Sequence, residues 1–119
     1  MGESILKTKS FNFALNIVSL YKALRECGEY VMSKQLLRSG TSIGANIAEA
    51  TMAQTVADFS AKMYIALKEA SETLYWVELL SSSGYLAPQT AEMVKQDCKE
   101  LISMLVSTTK KTAPRKPHN

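Results

Sequence analysis

The chain has 119 residues, enough for one domain and too few for two. Apolar residues make up 46% and charged residues 21%, with five Gly and three Pro, which excludes a disordered, collagen-like or low-complexity chain. The net charge of +3 is unevenly placed: Lys110, Lys111, Arg115 and Lys116 hold four of the 14 basic residues, and no acidic residue follows Glu100. Residues 1–109 therefore carry 10 basic against 11 acidic groups, a net of −1, and the last ten residues carry +4.

The apolar spacing is helical throughout. Residues 1–9 read as a lead-in. Ala14, Ile17, Val18, Tyr21 and Leu24 recur at three and four residues and predict a first helix over 10–27, with Ser10 as N-cap and Gly28 as the stop. A second helix is predicted from Ser33 to Met52, with Leu36, Ile43 and Ile47 on one face. Thr55 and Asp58 have the spacing of a capping box, with Asp in place of Glu, and open a third helix. Its inward stripe is Val56, Phe59, Met63, Ala66, Ala70, Leu74 and Val77, and it ends at Gly84. Pro88 fits the first turn of a fourth helix, with Ala91, Val94, Cys98, Leu101 and Leu105 inward. No strand-like alternation and no repeat appears. Four long helices with short connections predict an all-α, antiparallel up-down-up-down four-helix bundle over 10–109, followed by a flexible basic tail over 110–119.

Two features exceed the needs of a monomeric bundle. Gly40, Gly44 and Ala48 fall four apart and make a smooth ridge, although each helical Gly costs about 1 kcal/mol against Ala. On the third helix, Tyr64, Ile65, Tyr75, Trp76 and Leu79 lie away from the inward stripe. Scattered surface aromatics would account for these five; the sharper expectation is that they and the small-residue ridge form a subunit interface.

Most catalytic chemistry fails on residue supply. The single histidine, His118, is second from the end, so histidine-based acid–base work and di-iron Glu-x-x-His ligation have no donor. Nucleotide-binding glycine loops and zinc-ligand spacings are absent. Cys27 and Cys98 lie 71 positions apart and read as semi-buried apolar side chains in a reducing cytoplasm. No stretch approaches the ~20 apolar residues of a membrane span. One carboxylate arrangement remains: Glu69 and Glu72 on the third helix, and Asp97 and Glu100 on the fourth, would hold Mg²⁺ for a nucleotide pyrophosphohydrolase if the pairs faced each other. Arg38, Ser42, Asn46 and Glu49 share one face of the second helix. They read as a hydrogen-bonded seam against Glu69 or Glu72, or else as a ligand face.

The run Ser33-Lys34-Gln35-Leu36-Leu37-Arg38-Ser39-Gly40-Thr41-Ser42-Ile43-Gly44-Ala45-Asn46-Ile47-Ala48-Glu49, with Phe59 and the segment from Ile65 to Leu80, closely resembles the bacterial four-helix bundle protein family, also called 23S rRNA intervening-sequence proteins. The similarity covers about residues 8–108. It implies an up-down bundle assembling as a homopentameric ring, with no established enzymatic activity or cofactor for most members. Relatives include the accessory proteins of diversity-generating retroelements, to which binding of nucleic acid and reverse transcriptase through basic surfaces is ascribed; the mildly acidic body over 1–109 departs from them. Ala50 stands where the family pattern usually has Gly. The expectation is therefore a cytoplasmic, non-enzymatic homo-oligomer acting as a binding or scaffold protein without cofactor, touching RNA or DNA through Lys110, Lys111, Arg115 and Lys116. The alternative is the Mg²⁺-dependent hydrolase, and a scaffold for proteins alone is the third reading.

Overall fold

The computed structural model describes Gly2–Thr112, with side chains from Ile5 onward. It is all α: α1 (Gly2–Glu26), α2 (Met32–Ala50), α3 (Val56–Ser82) and α4 (Pro88–Thr112). α2 packs on α1 and α3, α4 packs on α3 and more sparsely on α1, and the four run antiparallel around one core.

The first helix begins eight residues earlier than its periodicity predicts, so residues 2–9 continue α1 instead of leading into it. The reason is a different inward stripe. Leu6, Ser10, Phe13, Ile17 and Leu24 are buried, while Ala14, Val18 and Tyr21 are only half-buried at its flank. Ser10 is no N-cap. It lies fully buried in mid-helix, its Oγ donating to the Lys7 carbonyl at 3.1 Å. α4 likewise runs on to Thr112, which puts Lys110 and Lys111 in its last turn, where cations meet the negative end of the helix dipole. The inward stripe of α4 is buried as its spacing predicts; on α3, Met63, Ala66, Ala70 and Val77 are buried, Phe59 and Leu74 are half-buried against the core, and Val56 in the first turn is 68% exposed.

The connections follow local rules. Gly28 and Gly84 have φ of +86° and +87°, conformations that favour Gly. Each is the left-handed residue of a Schellman ending: Glu29 N–H donates to the Leu24 carbonyl at 2.9 Å and Gly28 N–H to Arg25, and Tyr85 N–H donates to Leu80 at 2.9 Å and Gly84 N–H to Ser81. Thr55 caps α3, its Oγ1 accepting from Asp58 N–H at 3.0 Å. The start of α2 is capped by a residue that sequence patterning passes over. Val31 offers no side-chain acceptor there, and the buried Glu29 carboxylate accepts from the N–H groups of Val31, Met32 and Ser33 at 3.1, 2.8 and 2.7 Å. Ser33 Oγ returns a bond to the Glu29 carbonyl at 2.9 Å.

The glycine ridge of α2 is used inside the chain. A Cβ on Gly40 would meet Ile17 Cγ1 and Cγ2 at 2.8 Å, and one on Gly44 would meet the Ser10 carbonyl oxygen at 3.3 Å. Gly40 and Gly44 therefore let α1 approach α2 closely and are not an outer surface for another subunit, which corrects that part of the interface expectation.

Gly40→Ala should lower stability by about 1 kcal/mol, overpacking of about 1–3 kcal/mol outweighing the helix-propensity gain. In a urea-denaturation cycle, combining it with Ile17→Ala should cost less than the sum of the single changes. Glu29→Ala should cost about 1–2 kcal/mol by loss of the cap. Burial pushes the Glu29 carboxyl up, but the three backbone donors outweigh it and hold the group below its ordinary 4.5. A lowered folded value gives stability that is complete above the unfolded value and lost as the pH falls through the folded one. The gap between the parent and Glu29→Gln should therefore be full at pH 7 and close as the pH drops below about 4.5.

Candidate functional site

The largest polar constellation lies on the α2–α3 seam. Arg38 projects from α2 and its guanidinium reaches Glu69 at 3.1 Å and Glu72 in closer contact, both one turn apart on α3. Glu72 Oε2 also accepts the indole N–H of Trp76, four residues on, at 2.9 Å. The Trp76 and Arg38 donors together hold the Glu72 carboxyl below the usual carboxylate range, and Glu72 in turn raises the Arg38 guanidinium. Further down the seam Glu49 of α2 pairs with Lys62 of α3 at 2.9 Å.

Ser42 and Asn46 behave differently from Arg38 and Glu49. Ser42 Oγ donates to the Arg38 carbonyl at 2.6 Å, and Asn46 Nδ2 to the Ser42 carbonyl at 2.8 Å. Both bonds stay within α2, so these two residues satisfy local backbone acceptors and do not tie the helices together. A second polar link is fully buried beneath the seam: Thr73 Oγ1 donates to Ser39 Oγ at 2.9 Å. Among the described residues no buried side-chain polar atom lacks a partner.

The four carboxylates proposed as a magnesium centre do not converge. Glu69 and Glu72 turn toward Arg38 on α2. Asp97 and Glu100 turn toward α1, where with Lys9, Asn12 and Asn16 they line a cleft of about 170 Å³ floored by Phe13 and Leu101. Glu100 is engaged by Lys9. Among the described residues no three His, Cys, Asp or Glu side chains are placed to hold one metal ion. The hydrolase expectation is corrected: the i, i+3 spacing is present on each helix, but the bundle turns the two pairs toward different neighbours.

The remaining α3 residues divide by exposure. Tyr64, Ile65 and Tyr75 are 45, 41 and 60% exposed, whereas Trp76 and Leu79 are half-buried. Trp76 packs against the core and edge-on to Tyr75 at 5.1 Å, so it belongs to the seam as much as to the surface. Ala48 is half-buried beside a groove of about 580 Å³ near the α2–α3 connection. Apolar side chains exposed on α1 are missed by the sequence reading: Phe11 at 63% and Leu15 at 53%, an i, i+4 pair on the side away from the core. Their signal was legible as an apolar pair outside the stripe of Leu6, Phe13 and Ile17, once that stripe is phased correctly.

Neither cysteine adds chemistry. Cys98 is buried, donates to the Ala70 carbonyl at 3.3 Å, and is pushed up to about 12 by burial and by Asp97, which keeps it a thiol. Cys27 is exposed, contrary to the expectation of burial, because it lies in the turn that ends α1. No described helix is long and apolar enough to cross a membrane. Lys110 and Lys111 are exposed on α4; Arg115 and Lys116, like His118, lie outside the described residues.

Arg38→Ala should destabilise the bundle by about 1 kcal/mol, the upper end for a half-exposed ion pair because two carboxylates lose their partner. Arg38→Lys should recover less than half of that, since an ammonium cannot bridge both carboxylates with a planar fork. Trp76 is the single tryptophan, so its fluorescence reports the urea transition of each variant directly.

Comparison with curated proteins gives no match. Among solved structures, the chain is similar to a protein from Bacteroides thetaiotaomicron VPI-5482 described as having unknown function and belonging to the S23 ribosomal protein family. The two share 52% identity over 92% of this chain and 99% of that one, with a TM-score of 0.90. The family model for 23S rRNA-intervening sequence proteins matches residues 3–107, the whole of the bundle apart from its extreme ends. The chain belongs to the 23S rRNA-intervening sequence protein family.

Proposed function

We propose that this protein is a non-enzymatic, self-associating binding or scaffold protein that works in the cytoplasm, contacts RNA or DNA through its basic C-terminal segment and requires no cofactor. The observation that carries this reading is the contrast between its interior and its flanks. Among the described residues every buried side-chain polar atom has a partner within the chain, while Tyr64, Ile65 and Tyr75 on α3 and Phe11 and Leu15 on α1 stand exposed along helix sides. Large exposed apolar side chains in mid-helix are what a subunit interface needs, and Tyr is among the residues enriched there. Five copies is the number that the family resemblance implies. Light scattering of the purified chain tests the self-association: a mass well above 13.1 kDa is expected, and a monomer overturns it.

Nucleic-acid contact is assigned to Lys110, Lys111, Arg115 and Lys116, the cations of an acid-free stretch that follows Glu100. Cations that follow phosphates release counterions, so binding through them weakens with salt. Because α4 includes residues 110–112, substitution is a cleaner test than truncation, which would remove the helix's last turn. The full chain with all four cations changed to Gln should bind single-stranded RNA more weakly and with a log–log salt slope shallower by about 3 per chain engaged. Unchanged affinity and slope, measured by fluorescence anisotropy at two or more salt concentrations, would assign the tail to solubility alone.

A further inference from the structure

We propose that the α1–α2 end of the bundle carries a second contact for single-stranded nucleic acid, in which Lys22, Arg25 and Lys34 meet phosphates and the Tyr30 ring takes a base. The proposal rests on the nucleic-acid reading above and places a site away from the basic tail.

The near-neutral body conceals a division of charge. Residues 1–50 carry 6 basic against 4 acidic groups, a net of +2, while residues 51–109 carry 4 against 7, a net of −3. Ion pairing sharpens the division. Lys9, Arg38, Lys62 and Lys95 are engaged by carboxylates, whereas among the described residues no carboxylate is in ion-pair contact with Lys22, Arg25 or Lys34. These three gather at one end. Lys22 lies five residues after Ile17 and Lys34 six residues before Gly40, against which Ile17 packs. The antiparallel helices therefore bring both lysines, each exposed, to about the same height. The Glu29 carboxylate lies beneath the first N–H groups of α2, which meet its charge. Glu26 is exposed one turn beyond Lys22 and about 100° round α1 from Arg25, so three cations stand against one open carboxylate.

An aromatic stack fixes the central cation. The Arg25 guanidinium stands over the Tyr21 ring at 5.6 Å and over the Tyr30 ring at 5.2 Å from their centroids, and it donates to Tyr21 Oη at 3.1 Å. Its other donors remain free to take a phosphate. Tyr30 is 53% exposed, in a turn built between the left-handed Gly28 and the Glu29 cap. A ring and a guanidinium held in place beforehand bind a base and a phosphate with less ordering cost. Cations interleaved with aromatic rings suit single strands of any sequence, because every base has a face to stack and every phosphate a charge. An acidic protein segment would meet the cations and leave the Tyr30 ring without a partner.

α1 ends where α4 begins, so the stack and Lys110 stand at opposite ends of the bundle, about 33 Å apart. A strand that engages both gains from each contact, which raises the local concentration at the other.

Three variants of the full chain test the contact by fluorescence anisotropy: Lys22→Gln with Arg25→Gln and Lys34→Gln, Tyr30→Ala, and the four-cation tail variant described above. The probe is an oligouridylate of about 20 nucleotides, longer than one such site needs. The triple variant should bind more weakly, with a log–log salt slope shallower by about 2. Tyr30→Ala should weaken oligouridylate binding about tenfold and leave an abasic strand of the same length unaffected. Urea unfolding followed by Trp76 fluorescence checks each fold. Lys22→Gln with Lys34→Gln, for which the slope should change by about 1, and Tyr30→Leu serve if a variant is unstable. A triple variant that keeps the parental affinity and slope, while the tail variant loses them, overturns this contact and leaves the tail reading standing. Equal weakening of the uridylate and abasic strands by Tyr30→Ala overturns the assignment of a base to that ring. A parent that binds no RNA overturns both readings.

Discussion

The approach of α1 to α2 is the constraint on which the remaining structure depends. At two successive turns α2 has glycine where α1 comes close: a side chain at Gly40 would strike Ile17, and one at Gly44 would crowd the Ser10 backbone. Ser10 contributes by being small and by bonding its own hydroxyl to Lys7, so no polar atom is stranded in the contact. Glycine in a helix is unfavourable by about 1 kcal/mol against alanine, and the return here is close packing of two long helices. That packing sets the phase of α1. With Leu6, Phe13 and Ile17 turned inward, Phe11 and Leu15 are necessarily turned out.

The opposite side of α2 is organised by charge. Arg38 bridges two carboxylates on α3, and Trp76 joins the same carboxylate, so the seam combines an ion pair, an indole hydrogen bond and apolar cover. Thr73 and Ser39 form a neutral counterpart beneath it, fully buried and mutually bonded. These groups specify one register of α3 on α2, because a shift by a turn would leave them without partners. The same engagement removes Glu69 and Glu72 from any role as open metal ligands. Acidic residues at helical spacing thus serve packing on one seam and line a cleft on another, without converging.

Much of this was readable from residue order because it rests on local rules. Gly28 and Gly84 end helices in the left-handed conformation, Thr55 caps α3, and Pro88 opens α4, each within a few residues of chain. The buried stripe of α4 follows from its spacing of three and four residues, Ala91, Val94, Cys98, Leu101 and Leu105. Local rules failed where two stripes compete. On α1 the apolar residues occupy both an inward and an outward face, and periodicity cannot say which one the core takes. Glu29 escaped for another reason: a carboxylate three residues before a helix looks like an ordinary surface charge until the turn folds it beneath three N–H groups.

The amino-acid sequence by itself determined the helical fold class, four elements with short antiparallel connections, the neutral body with its basic end, and the poverty of catalytic side chains. These are properties of composition and of contacts within a few residues, which need no knowledge of what lies across the core. Only the tertiary structure decided that the glycine ridge faces α1 and not another subunit, and that the two carboxylate pairs turn toward different helices. It also decided which apolar side chains remain uncovered. Each of these depends on the rotation of one helix about its axis relative to its neighbours, and that rotation is set by close packing between residues far apart in the chain.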